Sequence, residues 1–128
     1  MPDASAASTL SVNRLKVRSP SNEVGGSPNL HALWDRAPGA NASASLFKEA
    51  LAVAPSVGGP QQWPTLWASE SLLAAQAAFK GLSPGPQGDK GWTVDLPRGY
   101  VDRMDAIKRR QLALGGRHMA ELLNALQP

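Results

Sequence analysis

The sequence predicts a mainly α protein, about four helices with one short extended segment near the N-terminus. Three observations predict it. Apolar residues recur at three- and four-residue intervals along most of the second half of the chain. Clusters of proline and glycine divide the chain into segments of helical length. Polar and apolar residues alternate over one stretch, Arg14-Leu15-Lys16-Val17-Arg18.

Residues 1–12 are small, polar and irregular, a divergent or disordered start, and residues 13–128 are expected to belong to the domain. Arg14 to Arg18 reads as a strand or extended segment, and residues 19–28 (SPSNEVGGSP) are turn chemistry throughout. Ser27-Pro28 suits a helix start, since serine can cap and proline loses nothing at the first helical position. A short helix is expected from Pro28 to Arg36, ending before Pro38-Gly39. A second is expected over Ser43 to Ala54, turning Leu46, Phe47, Leu51 and Val53 inward, with PSVGGP at residues 55–60 as its breaker. A third covers Gln62 to Lys80, with Pro64 tolerated in its first turn and Trp63, Leu66, Trp67, Ala74, Ala77 and Ala78 at helical intervals. Gly81 to Gly91 reads as a loop, with Trp92-Thr93-Val94 as its extended tail.

The last helix is expected from Pro97 to Leu126. Tyr100, Met104, Ile107, Leu114, Met119, Leu122, Leu123 and Leu126 are assigned to one face. Gly115-Gly116 interrupts that pattern and suggests a kink or a close helix–helix contact, because each glycine costs about 1 kcal/mol against alanine.

The chain has 128 residues, room for one small domain. Much of its 42% hydrophobic content is alanine, so the four tryptophans carry a large share of the core or of a site. A net charge of +3 tolerates an anionic partner without requiring one. The absence of cysteine excludes disulfides and thiolate metal sites. MPDASAASTL at residues 1–10 lacks the basic and apolar regions of a signal peptide, and no apolar run approaches the ~20 residues that span a bilayer.

Few residues could carry chemistry. In NLHALWD, residues 29–35, His31 and Asp35 fall one helical turn apart on one face. Imidazole nitrogen and carboxylate oxygen are both zinc donors, so the pair reads either as two ligands to one ion or as a surface hydrogen bond. His118, the other histidine, reads as a partly exposed helix residue. Glu70 sits on an alanine-rich face and needs a partner there; it reads as a salt bridge to arginine or lysine, or as a group that orients a metal ligand. Lys108, Arg109 and Arg110 form the one tight basic run, either a solvated helix face or a weak nucleic-acid contact. No phosphate-cradling glycine loop, Ser/His/Asp arrangement or HExxH is present.

The order of segments carries a resemblance. Asn13-Arg14-Leu15-Lys16-Val17 is followed by Asn29-Leu30-His31-Ala32-Leu33-Trp34-Asp35 and by Trp67-Ala68-Ser69-Glu70-Ser71. Tyr100 comes next, and then a last helix with Gly116-Arg117-His118-Met119-Ala120-Glu121-Leu122-Leu123-Asn124. This resembles the C-terminal part of the S1/P1-type zinc-dependent, single-strand-specific nucleases, whose members carry GGN-x-x-x-V, NLHxxWD, W-A-x-E-S and G-x-R-L-A-x-x-L-N in that order. NLHxxWD is the specific element, and the likeness covers residues 13–126.

The resemblance implies an all-α fold with three zinc ions in a cleft and His31 and Asp35 as zinc ligands. It leaves Asn29 and Glu70 as groups that support them. The implied activity is endonuclease and 3′-nucleotidase hydrolysis of single-stranded DNA and RNA to 5′-nucleotides, in DNA catabolism, by proteins typically secreted or periplasmic. The departures are equally concrete. Ser11-Val12 stands where two glycines would precede Asn13, His118 stands where a leucine would, and the family's N-terminal tryptophan and HQPLH-like ligand segment have no counterpart. The expectation is therefore a fragment of such a nuclease, inactive alone, with at most a partial zinc site and an apolar face that a missing N-terminal half or another protein would cover. A catalytically silent helical module that binds a partner is the competing expectation.

Overall fold

The computed structural model describes residues 15–19, 29–38, 43–88 and 91–127. Four helices and three very short strands occur among them: β1 (Lys16–Arg18), α1 (Leu30–Asp35), α2 (Ser43–Ala52), α3 (Trp63–Phe79), β2 (Ser83–Pro84), β3 (Thr93–Asp95) and α4 (Tyr100–Leu126). The protein is mainly helical, as its periodicity predicts. The expectation for residues 1–12 lies outside the described residues. No described helix is long and apolar enough to cross a membrane.

The chain divides into two compact units, Met1–Ala37 with Gly81–Met104, and Pro38–Lys80 with Asp105–Pro128. In unit 1 the strands form one sheet in the order β1-β3-β2, with β1 parallel and β2 antiparallel to β3. The segment read as a loop carries the two-residue strand β2, and its extended tail is strand β3. Arg18 pairs with Asp95 in the β1–β3 register, and their side chains meet in a bidentate ion pair at 2.6 and 3.0 Å. Pro84 sits in edge strand β2, where its missing N–H costs no ladder bond. Val17, Leu30, Leu33, Val94, Leu96, Tyr100 and Met104 form the core of the unit.

Two helix starts differ from their sequence reading. Asn29, not Ser27, caps α1: its Oδ1 accepts from the Ala32 N–H at 2.7 Å. Ser27 and Pro28 lie outside the described residues. Helix α4 begins at Tyr100 rather than Pro97 because Gly99 takes φ +72°, a conformation open to glycine and closed to a helix.

Unit 2 holds α2, α3 and α4 from Asp105 onward. Val53, Ala78, Ala113 and Leu114 are buried there, while Phe47 and Leu51, expected inward, are exposed. A larger correction concerns α4. The sequence periodicity places Met119, Leu122, Leu123 and Leu126 on the face of Met104 and Leu114, yet all four are exposed. At 3.6 residues per turn, the five residues from Leu114 to Met119 rotate by about 500°, placing Met119 about 140° away from Leu114. Only a break at Gly115-Gly116 could return both to one side, and α4 runs through both glycines. Nothing among the described residues lies within 4 Å of a Cβ built on either one. The expected close contact is therefore not made at either glycine among the described residues. Gly115→Ala and Gly116→Ala should therefore each raise unfolding free energy, by up to about 1 kcal/mol. Urea denaturation checks this, and a lower midpoint would show that these glycines are needed.

Candidate functional site

The site begins with a helix too short to hold itself. Six residues make under two turns, and helices of this length are not stable alone in water. Helix α1 is held by tertiary anchors instead. Leu30 and Leu33 enter the core of unit 1, and the Leu30 N–H donates to the Leu15 carbonyl at 2.8 Å. The Trp34 indole N–H donates to the Tyr100 Oη at 3.1 Å, with the two rings edge to face at 6.5 Å. Tyr100 is almost fully buried. Burial pushes its phenol above the ordinary 10.0, offset in part by the Trp34 hydrogen bond and by the Arg103 guanidinium 5.2 Å over the ring.

With Leu30, Leu33 and Trp34 turned inward, His31 and Asp35 fall on the outward side. His31 Nε2 lies 2.9 Å from Asp35 Oδ2, and the side chains are 50% and 69% exposed. Donor bonds of roughly 2.0–2.2 Å place neighbouring ligands of a tetrahedral zinc about 3.3–3.6 Å apart. A slight opening of the pair reaches that span, so the two side chains fit two ligand positions. Among the described residues no group of three or more His, Cys, Asp or Glu stands together. Asn29 spends its Oδ1 on the helix cap, which supports the pair through the helix end.

The other sequence candidates lie in unit 2 and meet different partners. Glu70 faces a histidine rather than an arginine or lysine: its Oε2 is 3.3 Å from His118 Nε2. That contact becomes an ion pair when the imidazole is protonated. His118 is a partly exposed helix residue; its side chain is 14% exposed and stacks on Trp67 with centroids 4.5 Å apart. Trp67 in turn stacks on Trp63 at 5.5 Å and donates its indole N–H to Ser56 Oγ at 2.9 Å. Glu121 accepts from the Ser56 N–H at 2.6 Å and from its Oγ at 2.7 Å. Sequence reasoning missed this seam. Ser56 lies in a segment read only as a breaker, and nothing local links it to Glu121, 65 residues away.

The basic run does not form one cationic face. Lys108 is 7% exposed with Nζ 3.7 Å from Asp105, and Arg109 donates to Ser45 Oγ at 2.7 Å and to Glu49. Of the three, Arg110 alone belongs to the exposed class. Of the three residues expected to make a weak nucleic-acid contact, Lys108 lies beside the Asp105 carboxylate on its own helix and Arg109 reaches Glu49 on α2.

No family model matches the chain, and neither a curated protein nor a solved structure does.

Proposed function

We propose that this chain corresponds to the C-terminal part of a zinc-dependent nuclease of the S1/P1 type, acting on single-stranded DNA and RNA, and that His31 and Asp35 are two of its zinc ligands. One observation carries the reading. In the NLHxxWD stretch the apolar residues and Trp34 anchor the helix, while the imidazole and carboxylate stand together outside at 2.9 Å. When bound, zinc in such a site supplies a water-derived nucleophile at neutral pH and neutralises phosphate oxygens. The chain's own part is to present an imidazole nitrogen and a carboxylate oxygen on one face of α1. Among the described residues no third histidine or carboxylate joins His31 and Asp35, so phosphodiester hydrolysis by this chain alone is expected at background.

Zinc titration of the full chain tests the proposal. The parent should bind zinc weakly, and His31→Ala should abolish that binding. A parent that binds none, or a His31→Ala variant that binds equally, would sink the reading.

A second reading, a catalytically silent module that binds a partner, is favoured by the outward face of α4. From Leu112 to Leu126 its exposed residues include five large apolar side chains and no charged ones. Partner binding lost on Met119→Lys while zinc binding is unaffected would favour that reading.

A further inference from the structure

We propose that a second copy of this chain packs antiparallel on the outward face of α4; this deepens the partner-binding reading, on which it rests, by naming the partner. Leu112, Met119 and Leu126 recur every seven residues and fall within about 20° of one line down the helix. All three are exposed and belong to unit 2. Gly115 and Gly116 flank that line before Met119, one on each side, and Leu122 and Leu123 flank it after Met119.

This arrangement is self-complementary about a two-fold axis at Met119. Such an axis brings Leu112 of one copy level with Leu126 of the other and sets the two Met119 side chains together. It also places Leu122 of each copy on the same side as Gly115 of the other, and Leu123 beside Gly116, within about 1.5 Å of the same level. Each leucine off the centre line thus meets a glycine. Space for it is open, since nothing among the described residues lies within 4 Å of a Cβ built on either glycine. A parallel pair would instead set glycine against glycine and leucine against leucine, with a gap below a crowded layer. No charged residue from Leu112 to Leu126 belongs to the exposed class, so two identical faces meet without like charges opposed. The stretch spans about 21 Å, and one helix face of that length falls short of the ~800 Å² per partner of a standard interface. Association is therefore weak, with Kd expected above about 1 µM.

Sedimentation equilibrium of the full chain, from low micromolar to near-millimolar, tests the proposal. The parent should show a reversible monomer–dimer equilibrium. Met119→Lys and Met119→Glu should each associate at least tenfold more weakly, and their equimolar mixture should recover dimer, because opposite charges then face each other at the axis. Gly116→Leu occupies the space that Leu123 of the second copy enters, so it too should associate at least tenfold more weakly. Its helicity and thermal midpoint should stay at or above the parent's, since leucine is the better helix former and has room there. The chain has no cysteine, so Leu112→Cys and Leu126→Cys report direction on oxidation: the mixture should cross-link faster than either variant alone.

A parent that stays monomeric throughout overturns self-pairing and leaves the partner-binding reading to a different protein. A dimer that persists unchanged in Met119→Lys and Gly116→Leu overturns this face as the interface, and the partner-binding reading of it as well. Faster cross-linking of Leu112→Cys with itself than with Leu126→Cys overturns the antiparallel arrangement.

Discussion

Leu30→Ala is expected to destabilise unit 1 by about 3 kcal/mol, within the range for deleting a buried leucine side chain. Leu30 is 2% exposed, packs in the core of unit 1 with Val17, Leu33 and Tyr100, and opens helix α1 directly after its cap. Small domains hold only about 5–15 kcal/mol in total, so such a loss is a large part of what keeps the unit folded. Urea unfolding followed by tryptophan fluorescence reads the change. Phe47→Ala provides the contrast: that side chain is exposed, and its removal should cost under about 0.5 kcal/mol. Equal effects from the two substitutions would show that Leu30 is not the core residue its burial indicates.

Glu121→Gln is expected to lower the stability of unit 2 by about 1.5–3 kcal/mol at neutral pH, the range for hydrogen bonds to charged groups. The Glu121 side chain is 11% exposed. Burial pushes its carboxyl up, but the Ser56 hydroxyl and backbone N–H, with Arg117 and His118, outweigh that and hold it below the ordinary 4.5. A carboxyl lowered on folding contributes stability above its unfolded value, and that contribution disappears as pH falls through the folded value. Unit 2 should therefore weaken as pH drops below about 4.5. Glu121→Gln should lose less over the same window, because its amide does not titrate. Urea denaturation at several pH values between neutrality and about pH 3 checks both limbs; parallel acid profiles for parent and variant would exclude Glu121 as their source.

The parts of this protein legible in its sequence are those set by neighbours along the chain. The mainly helical class follows from period and breakers. The boundaries of α2 and α3 follow PSVGGP, Pro64 and Gly81 to within about two residues. The common face of His31 and Asp35 follows from helix geometry alone, because residues four apart must share a side.

What lay beyond the sequence depends on residues far apart in the chain. Strands of two or three residues have no periodicity to read, and β1 finds β3 across 77 positions, as Arg18 does Asp95. Glu70 meets His118 rather than a lysine, and Arg109 meets Glu49 rather than solvent, because packing selects the charge within reach. The outward turn of Met119, Leu122 and Leu126 was decided by the uninterrupted course of α4 through Gly115-Gly116. Helical hydrogen bonds close over four residues, so sequence alone determined where this chain is helical and that His31 and Asp35 stand together. Sheet pairing, ion-pair choice and the buried face of a long helix need contacts across the chain, and only the tertiary structure decided those.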